Sequence, residues 1–352
     1  MTQQLKSKLG EVAFRKKLTD QHIGKKQHFE GEPDKSQIIS VLRERVVNSR
    51  KIFRDLKKKG VTISPFLEIG AEKGQRAALL TSEFGAQGFA LDISYESLRS
   101  LKYFAKKLHL KKVPILICAD AENLPLANNS IPFVFAFQTL HHFPTPKKAI
   151  TEMQRVSSQT IYFSEEPVAQ TFNLGLWKRN FNLTNIEKIL KSFLILPFLS
   201  KLGGTEDKYD ILENEFTIET WQKSLSSIDQ AEIMIEPVFW GPKSTFENFC
   251  WNINPITRAL TAIEGGGITV LSSARHSGLS RIPHRVNDSG VAPLPRMTNL
   301  FNLLACPLCH KSNLKKSEKE LICISCKSTY PIKSGVFIML PPALRKKLYP
   351  AF

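Results

Sequence analysis

Short apolar segments alternate with helix-forming segments through the first half of the chain, and this alternation most constrains the fold. The apolar segments lie at 66–69, 88–91, 115–118, 133–137 and 160–163, and residues with helical spacing of apolar side chains lie between them at 75–84, 95–108 and 146–156. Strands that alternate with helices form parallel sheets covered on both faces. The sequence therefore predicts an α/β protein with a Rossmann-like, doubly wound sheet. Later apolar stretches at 233–239 and 268–271 can complete it.

The segments around this alternation differ in composition. We predict a basic, helical N-terminal extension, including a helix at 36–59, and a main domain with an aromatic, helix-leaning insertion. A linker rich in Ser, Gly and Pro and a short C-terminal domain follow. The predicted bounds are 1–60 for the extension, 61–272 for the main domain, about 167–230 for the insertion, 273–299 for the linker and 300–352 for the last domain.

Positive charge is concentrated at the two ends of the 352-residue chain. Residues 1–60 hold 16 Lys and Arg against 7 Asp and Glu, and residues 299–352 hold 9 against 2, within a net charge of +17. Basic ends favour an acidic partner such as RNA, although solvated lysine-rich helix faces would give the same pattern.

The N-terminus has no apolar core, and the longest apolar run, 193–199, contains Pro197. A run of this length is too short to cross a bilayer. We therefore expect no signal peptide, no transmembrane segment and a cytoplasmic location.

A glycine turn follows the first predicted strand, and an acid ends the second. Gly70 and Gly74 permit close approach of a ligand, and the helix that begins near Gln75 offers free N–H groups to an anion. Asp92 can accept hydrogen bonds from ribose hydroxyls. These features alone would also suit a dehydrogenase or a plain β–turn–α unit.

Four ordered motifs resolve this ambiguity. They are Leu67-Glu68-Ile69-Gly70, Ala90-Leu91-Asp92-Ile93-Ser94, Asp120-Ala121-Glu122-Asn123-Leu124-Pro125 and Thr139-Leu140-His141-His142-Phe143. Residues 63–157 thereby resemble the type 11 branch of the class I S-adenosylmethionine-dependent methyltransferases. The resemblance implies a seven-stranded sheet with S-adenosyl-L-methionine as cofactor.

The resemblance also assigns roles at the cofactor site. Gly70 and Gly74 would let the backbone run close to the methionine part of the cofactor. Glu68 would orient the turn, and Asp92 would hold the ribose. Asp120, with the N–H of Ala121 nearby, would bind the adenine amine. Glu72 stands at the central glycine of the family. Its charge would lie beside the cofactor carboxylate, which leaves open whether the cofactor binds tightly.

Methyl transfer from a sulfonium requires alignment and, for a weak nucleophile, a base. Candidate bases follow the fourth and fifth strands, whose carboxyl ends face the ligand crevice of such a sheet. They are His141, His142, Glu165 and Glu166. Structural packing or capping by the histidines, and a solvated pair of glutamates, are the alternatives.

Two C-x₂-C pairs lie near the C-terminus. Cys306 and Cys309 form the first pair, and Cys323 and Cys326 form the second. Four thiolates with this spacing close a tetrahedral zinc site, which is a stronger interpretation than a redox dithiol. Because the segment is too short for a large core, zinc should contribute directly to its folding.

The motifs around these cysteines carry a second resemblance. Cys306-Pro307-Leu308-Cys309, 321–326 and 330–336 resemble the small zinc-ribbon activator of tRNA, rRNA and release-factor methyltransferases. In that family the ribbon is a separate subunit that docks on a class I methyltransferase. The resemblance implies a built-in activator that docks within the same chain.

RNA is the favoured acceptor among three hypotheses. The basic ends and the ribbon favour an RNA methyltransferase, particularly one acting on tRNA. The aromatic segment at 167–200 favours a small-molecule, lipid or quinone-precursor acceptor. The altered glycine turn leaves room for a non-catalytic scaffold.

Overall fold

The computed structural model describes residues 2–23, 37–168, 185–195, 209–273 and 300–352. Its strands are β1 Phe66–Ile69, β2 Gly88–Asp92, β3 Ile115–Cys118, β4 Ile131–Phe137, β5 Ser157–Val168, β6 Ala231–Pro237, β7 Ser244–Glu247, β8 Gly266–Ser273, β9 Leu314–Lys316, β10 Glu320–Cys323, β11 Thr329–Lys333 and β12 Val336–Ile338. The described helices are α1 Gln3–Ile23, α2 Gln37–Lys58, α3 Gln75–Glu83, α4 Tyr95–Lys107, α5 Lys147–Val156, α6 Asn185–Ser192, α7 Ile218–Leu225, α8 Pro255–Glu264 and α9 Pro342–Leu348.

The central sheet has the α/β topology expected from the sequence. The strand order is β7-β6-β8-β5-β4-β1-β2-β3-β12-β11-β10-β9. The run from β3 through β2, β1 and β4 to β5 is parallel. The expectation of a parallel sheet fails beyond β5, because β8 pairs antiparallel with both β5 and β6. The later apolar stretches do complete the sheet, and β7 adds a hairpin edge that the sequence did not predict.

The C-terminal ribbon continues the same sheet. Strand β12 pairs in parallel with β3, and Ile338 lies opposite Cys118. Antiparallel pairing then adds β11, β10 and β9. The described sheet therefore has twelve strands where the resemblance implied seven: the main domain contributes eight, and the ribbon adds four that cover what would be an open edge at β3.

Successive residues of each central strand enter cores on opposite faces of the sheet. In β1, Leu67 packs in one core and Phe66 in the other, as the period of two in a strand requires. The ribbon contributes to both cores, through Phe337 on one face and Ile338 on the other. Its apolar residues are thus part of the main hydrophobic core.

The predicted helices agree closely with the structure. Helices α2, α3, α4 and α5 differ from their predicted limits by about one residue at each end. Helix α1 lies against α4 and α9. Parts of the predicted insertion, at 169–184 and 196–208, and nearly all of the predicted linker, at 274–299, lie outside the described residues. No described helix is both long enough and apolar enough to cross a membrane.

Candidate active site

A cavity of about 620 Å³ lies at the carboxyl ends of the parallel strands. Gly70, Asp92, Asp120 and Ala121 line it, whereas Glu68 and Gly74 support the turn from outside its lining. Helices α1 and α2 form the opposite wall. The residues of α1 that line the cavity recur at helical spacing and are Gln4, Ser7, Lys8, Glu11, Phe14, Arg15, Leu18 and His22. The sequence did not indicate this wall.

The glycine turn is tightly constrained. Gly70 has φ +63°, and a Cβ atom there would lie 2.2 Å from the hydroxyl oxygen of Thr139. Glu68 is buried beneath the turn, and its Oε2 accepts a hydrogen bond of 2.9 Å from the N–H of Ala77 in α3. Burial raises the pKa of Glu68 to about 8. The turn therefore keeps a narrow cradle open beside the first residues of α3.

Asp92 holds the loop that follows β2. Its Oδ2 accepts a hydrogen bond of 2.7 Å from the N–H of Glu72, and its Oδ1 accepts one of 2.8 Å from the N–H of Ser94. Burial raises its pKa to about 6, so the carboxylate is mostly ionised at neutral pH. Each oxygen can accept a further bond, and the carboxylate can therefore receive ribose hydroxyls.

Asp120 meets an unexpected partner from the N-terminal helix. Its Oδ1 accepts the N–H of Glu122 at 3.0 Å, and its Oδ2 lies 2.5 Å from the ammonium nitrogen of Lys8. Lys8 also lies 2.8 Å from Glu122. An adenine amine at Asp120 would share this carboxylate with Lys8. Because more than a hundred residues separate the partners, no local pattern could have indicated their pairing.

Glu72 is paired with cations. Its carboxylate contacts the ammonium of Lys73 and lies 3.2 Å from an Arg15 nitrogen and 3.1 Å from an Arg45 nitrogen. Burial opposes ionisation, but the three cations outweigh it and hold the pKa of Glu72 well below its ordinary value. The negative charge at the family's central glycine position is thus neutralised by Arg15 of α1, Arg45 of α2 and the adjacent Lys73.

His141 and Glu165 form a buried pair beside the cavity. The Nδ1 atom of His141 lies 2.8 Å from Oε2 of Glu165. Glu165 also accepts the N–H of Thr139 at 2.8 and 3.0 Å. Because a carboxylate only accepts hydrogen bonds, Nδ1 of His141 is the donor in this contact. His141 lines the cavity, and Glu165 lies behind it.

His142 has a different partner, which sequence reasoning missed. Its Nδ1 lies 3.1 Å from Glu213, whose other carboxylate oxygen lies 3.5 Å from Nε2 of His141. Burial lowers the pKa of His142, but the hydrogen bond that His142 donates to Glu213 and the charges of Glu11 and Glu213 outweigh it and raise the pKa to about 9. The side chain of Glu166 lies outside the described residues.

His141, His142 and Glu213 place three potential metal ligands within 4.8 Å of one another. In the absence of a metal ion, the contact with Glu213 raises the pKa of His142 and makes the cluster a network of charged groups. Asn214 fixes the same turn, since its amide donates to the carbonyl oxygens of His141 and Phe143 at 2.9 and 2.7 Å.

The four predicted zinc ligands converge in the ribbon. The sulfurs of Cys306, Cys309, Cys323 and Cys326 all lie within 4.8 Å of one another. Two of the separations are 3.5 and 3.6 Å, far longer than a disulfide and close to the roughly 3.8 Å edge of a tetrahedron with zinc–sulfur bonds of about 2.3 Å. The hydroxyl of Tyr330 lies 2.9 Å from Cys306 Sγ. The donor set therefore fits zinc.

The ribbon contacts the loop that carries Asp120. The side-chain amide of Asn123 donates to the carbonyl of Pro307 at 2.9 Å, and the N–H of Ala305 donates to the carbonyl of Pro125 at the same distance. The first zinc knuckle thus rests directly on the segment that follows Asp120.

Comparison with known proteins agrees with this division. A family described as a methyltransferase domain matches residues 67–160, and one described as Trm112p-like protein matches residues 299–335. A UPF0434 protein of Methylobacillus flagellatus is 44% identical over 48 residues, which are 13% of this chain and 80% of that protein. The malonyl-[acyl-carrier protein] O-methyltransferase of Laribacter hongkongensis is 32% identical over 96 residues, which are 26% of this chain but only 32% of that protein.

Solved structures with similar folds are more distant. Magnesium protoporphyrin IX methyltransferase from Synechocystis has a TM-score of 0.43 and 14% identity, with 76% of this chain and 96% of that chain covered. A complex of the Haloferax volcanii Trm112 methyltransferase activator with a methyltransferase has a TM-score of 0.38 and 12% identity, with 69% and 98% covered. Likeness at this level does not bear on function.

The chain is a methyltransferase of the S-adenosylmethionine-dependent class. Zinc is its second cofactor and is held by the C-terminal ribbon. Its C-terminal ribbon belongs to the family of the UPF0434 proteins and matches the Trm112p-like family over residues 299–335.

Proposed function

We propose that the chain transfers a methyl group from S-adenosylmethionine to a nucleophilic oxygen or nitrogen that must lose a proton. The observation that carries this proposal is the buried His141–Glu165 pair, which opens onto the same cavity as Asp92 and Asp120. The glycine cradle and the carboxylates suit the cofactor. The histidine suits a nucleophile that is weak while protonated.

The bound cofactor supplies the methyl group on a positively charged sulfur. Asp92 holds the ribose, Asp120 holds the adenine amine, and the backbone at Gly70 runs close to the methionine part. Nε2 of His141 accepts the proton of the acceptor. Glu165 holds the imidazole in that tautomer and stabilises its positive charge after protonation. Helix α1 excludes water from one side of the cavity.

The cavity favours a small acceptor. Its volume of about 620 Å³ has to accommodate the cofactor as well as the acceptor, and the residues of α1 close the side that faces the strand ends. The Laribacter protein, which is similar over part of the main domain, is a malonyl-[acyl-carrier protein] O-methyltransferase. We therefore propose a small-molecule or carrier-linked acceptor in preference to RNA.

Binding and activity separate the parts of this proposal. Calorimetry with S-adenosylhomocysteine should show one site per chain, and a folded chain without such binding would support a scaffold instead. Replacing His141→Gln should retain binding and lower the methylation rate by roughly 10²- to 10⁴-fold. His109→Asn, an exposed site away from the cavity, is the matched control.

RNA remains the second candidate because α2 carries a series of exposed basic residues. They are Arg43, Lys51, Arg54, Lys57 and Lys58. Incubation of the full chain with cell extract and methyl-labelled cofactor distinguishes the two acceptors. Label in a small-molecule or carrier-protein fraction supports the first candidate. Label that is removed by ribonuclease, with binding that weakens as salt rises, supports the second.

A further inference from the structure

The cation cluster around Glu72 includes residues from three separate segments. Arg15 comes from α1, Arg45 comes from α2, and Lys73 follows Glu72 in the turn after β1. All four of these residues line the cavity. Arg15 also forms an ion pair of 2.7 Å with Glu11. The cluster thus lies on the cavity wall, beside the cradle made by Gly70.

The cluster has more positive than negative charge. In its direct ion pairs the cluster sets three cations, Arg15, Arg45 and Lys73, against two carboxylates, those of Glu72 and Glu11. Lys73 is buried, whereas the side chain of Arg45 is 43% exposed. An additional carboxylate in the cavity would therefore be attracted to the two arginines, whose planar guanidinium groups suit it.

We infer that Arg15 and Arg45 bind the α-carboxylate of S-adenosylmethionine. This inference rests on the proposed function, because it deepens the cofactor site of the same cavity. Glu72 does not repel the cofactor in this arrangement. It holds the two guanidinium groups beside the glycine turn, where the methionine part passes. The N-terminal extension is consequently part of the cofactor site.

The alternative role for the cluster is to fasten α1 and α2 to the turn after β1. Such a fastening would affect every ligand of the cavity alike. A role in binding would affect only ligands that carry a carboxylate. Decarboxylated S-adenosylmethionine makes this distinction, since it keeps the sulfonium, the adenosine and the ammonium group and lacks only the carboxylate.

The test is calorimetric titration of the full chain with both ligands, without acceptor. The wild-type chain should bind S-adenosylmethionine more tightly than the decarboxylated ligand. Arg15→Gln and Arg45→Gln should each reduce this preference by about tenfold or more, because each removes a charged hydrogen bond. Binding of the decarboxylated ligand should change by less than about threefold, which also shows that the variants are folded.

Matched controls come from the same helices. Lys16→Gln on α1 and Arg43→Gln on α2 remove exposed charges that do not line the cavity, and both should keep the wild-type preference. A preference unchanged in both arginine variants, or equal weakening of the two ligands, would overturn the inference. A wild-type chain that binds neither ligand would instead contradict the proposed function itself.

Discussion

The hydroxyl of Tyr349 donates a hydrogen bond of 2.7 Å to the carbonyl oxygen of Ile93 and accepts one of 2.9 Å from the N–H of Tyr95. Ile93 directly follows Asp92, so the C-terminal tail fixes the loop that carries a predicted ribose ligand. The zinc knuckle contacts the segment after Asp120 through Asn123. The ribbon and tail thus support both acidic loops of the predicted cofactor site, and these contacts would give the predicted activator role a physical route.

Replacing Tyr349→Phe should weaken binding of S-adenosylhomocysteine by about threefold to tenfold. The loss follows from two hydrogen bonds that hold the loop, each worth about 0.5–1.5 kcal/mol. Calorimetry measures the effect, and zinc content should stay unchanged. Tyr103→Phe, at a half-buried site on α4, is the control. Equal affinities in the two variants would show that the tail does not position Asp92.

Deletion of residues 300–352 should leave a fragment that aggregates or loses cofactor affinity. The deletion exposes the edge of β3 and removes Phe337 and Ile338 from the two cores. Light scattering and calorimetry on the fragment are the measurements. Supplying the ribbon as a separate chain should restore affinity in part, since tethering is lost. A monodisperse fragment with full cofactor affinity would refute the activator role.

The ribbon should contain one zinc ion per chain. Cys309→Ser should abolish stoichiometric zinc in elemental analysis and lower the thermal stability, because the metal contributes to folding of the ribbon. Cys250→Ser, an exposed cysteine outside the cluster, should change neither quantity. Freshly purified, reduced wild-type protein without zinc would exclude the metal site.

Asp92→Ala should weaken cofactor binding by about 1–3 kcal/mol, because charged hydrogen bonds to the ribose are lost. Affinity of the wild-type chain should also fall as the pH drops below about 6, where Asp92 becomes protonated. Asp229→Ala, at an exposed site, is the control for the substitution. A folded Asp92 variant with wild-type affinity would remove this residue from the cofactor site.

The His142–Glu213 pair should make folding stability depend on pH. Because the folded pKa of His142 is about 9, above its ordinary value, the pair stabilises the fold fully below about pH 6.5 and loses this effect as the pH rises through 9. Urea unfolding should show that His142→Gln costs more stability at about pH 6 than at about pH 10, by up to about 3 kcal/mol. An equal cost at both pH values would contradict the raised pKa.

The sequence contained enough local information to predict much of this fold. Hydrophobic periodicity located α3, α4 and α5, since such patterns need no knowledge of distant contacts. The glycine turn and the spacing of the cysteines were readable for the same reason. Periodicity could not give strand direction, and the antiparallel placement of β8 was therefore missed.

The cofactor and base sites were predicted only in part. Gly70, Asp92, Asp120 and His141 do meet at one cavity, because parallel strands end at the same edge of a sheet. Sequence reasoning offered Glu165 as a base, whereas the structure places it behind His141. Their individual roles stay predictions that the experiments above test.

The sequence by itself determined which elements form, which acids follow the strands and which cysteines can share a metal, because each depends on neighbours along the chain. Tertiary structure decided what faces these residues. Lys8 reaches Asp120, and Arg15 reaches Glu72, only because α1 packs across the strand ends. Pairing of β12 with β3 likewise joins the ribbon to the main sheet. Packing directions of distant segments set these contacts, and no local pattern encodes them.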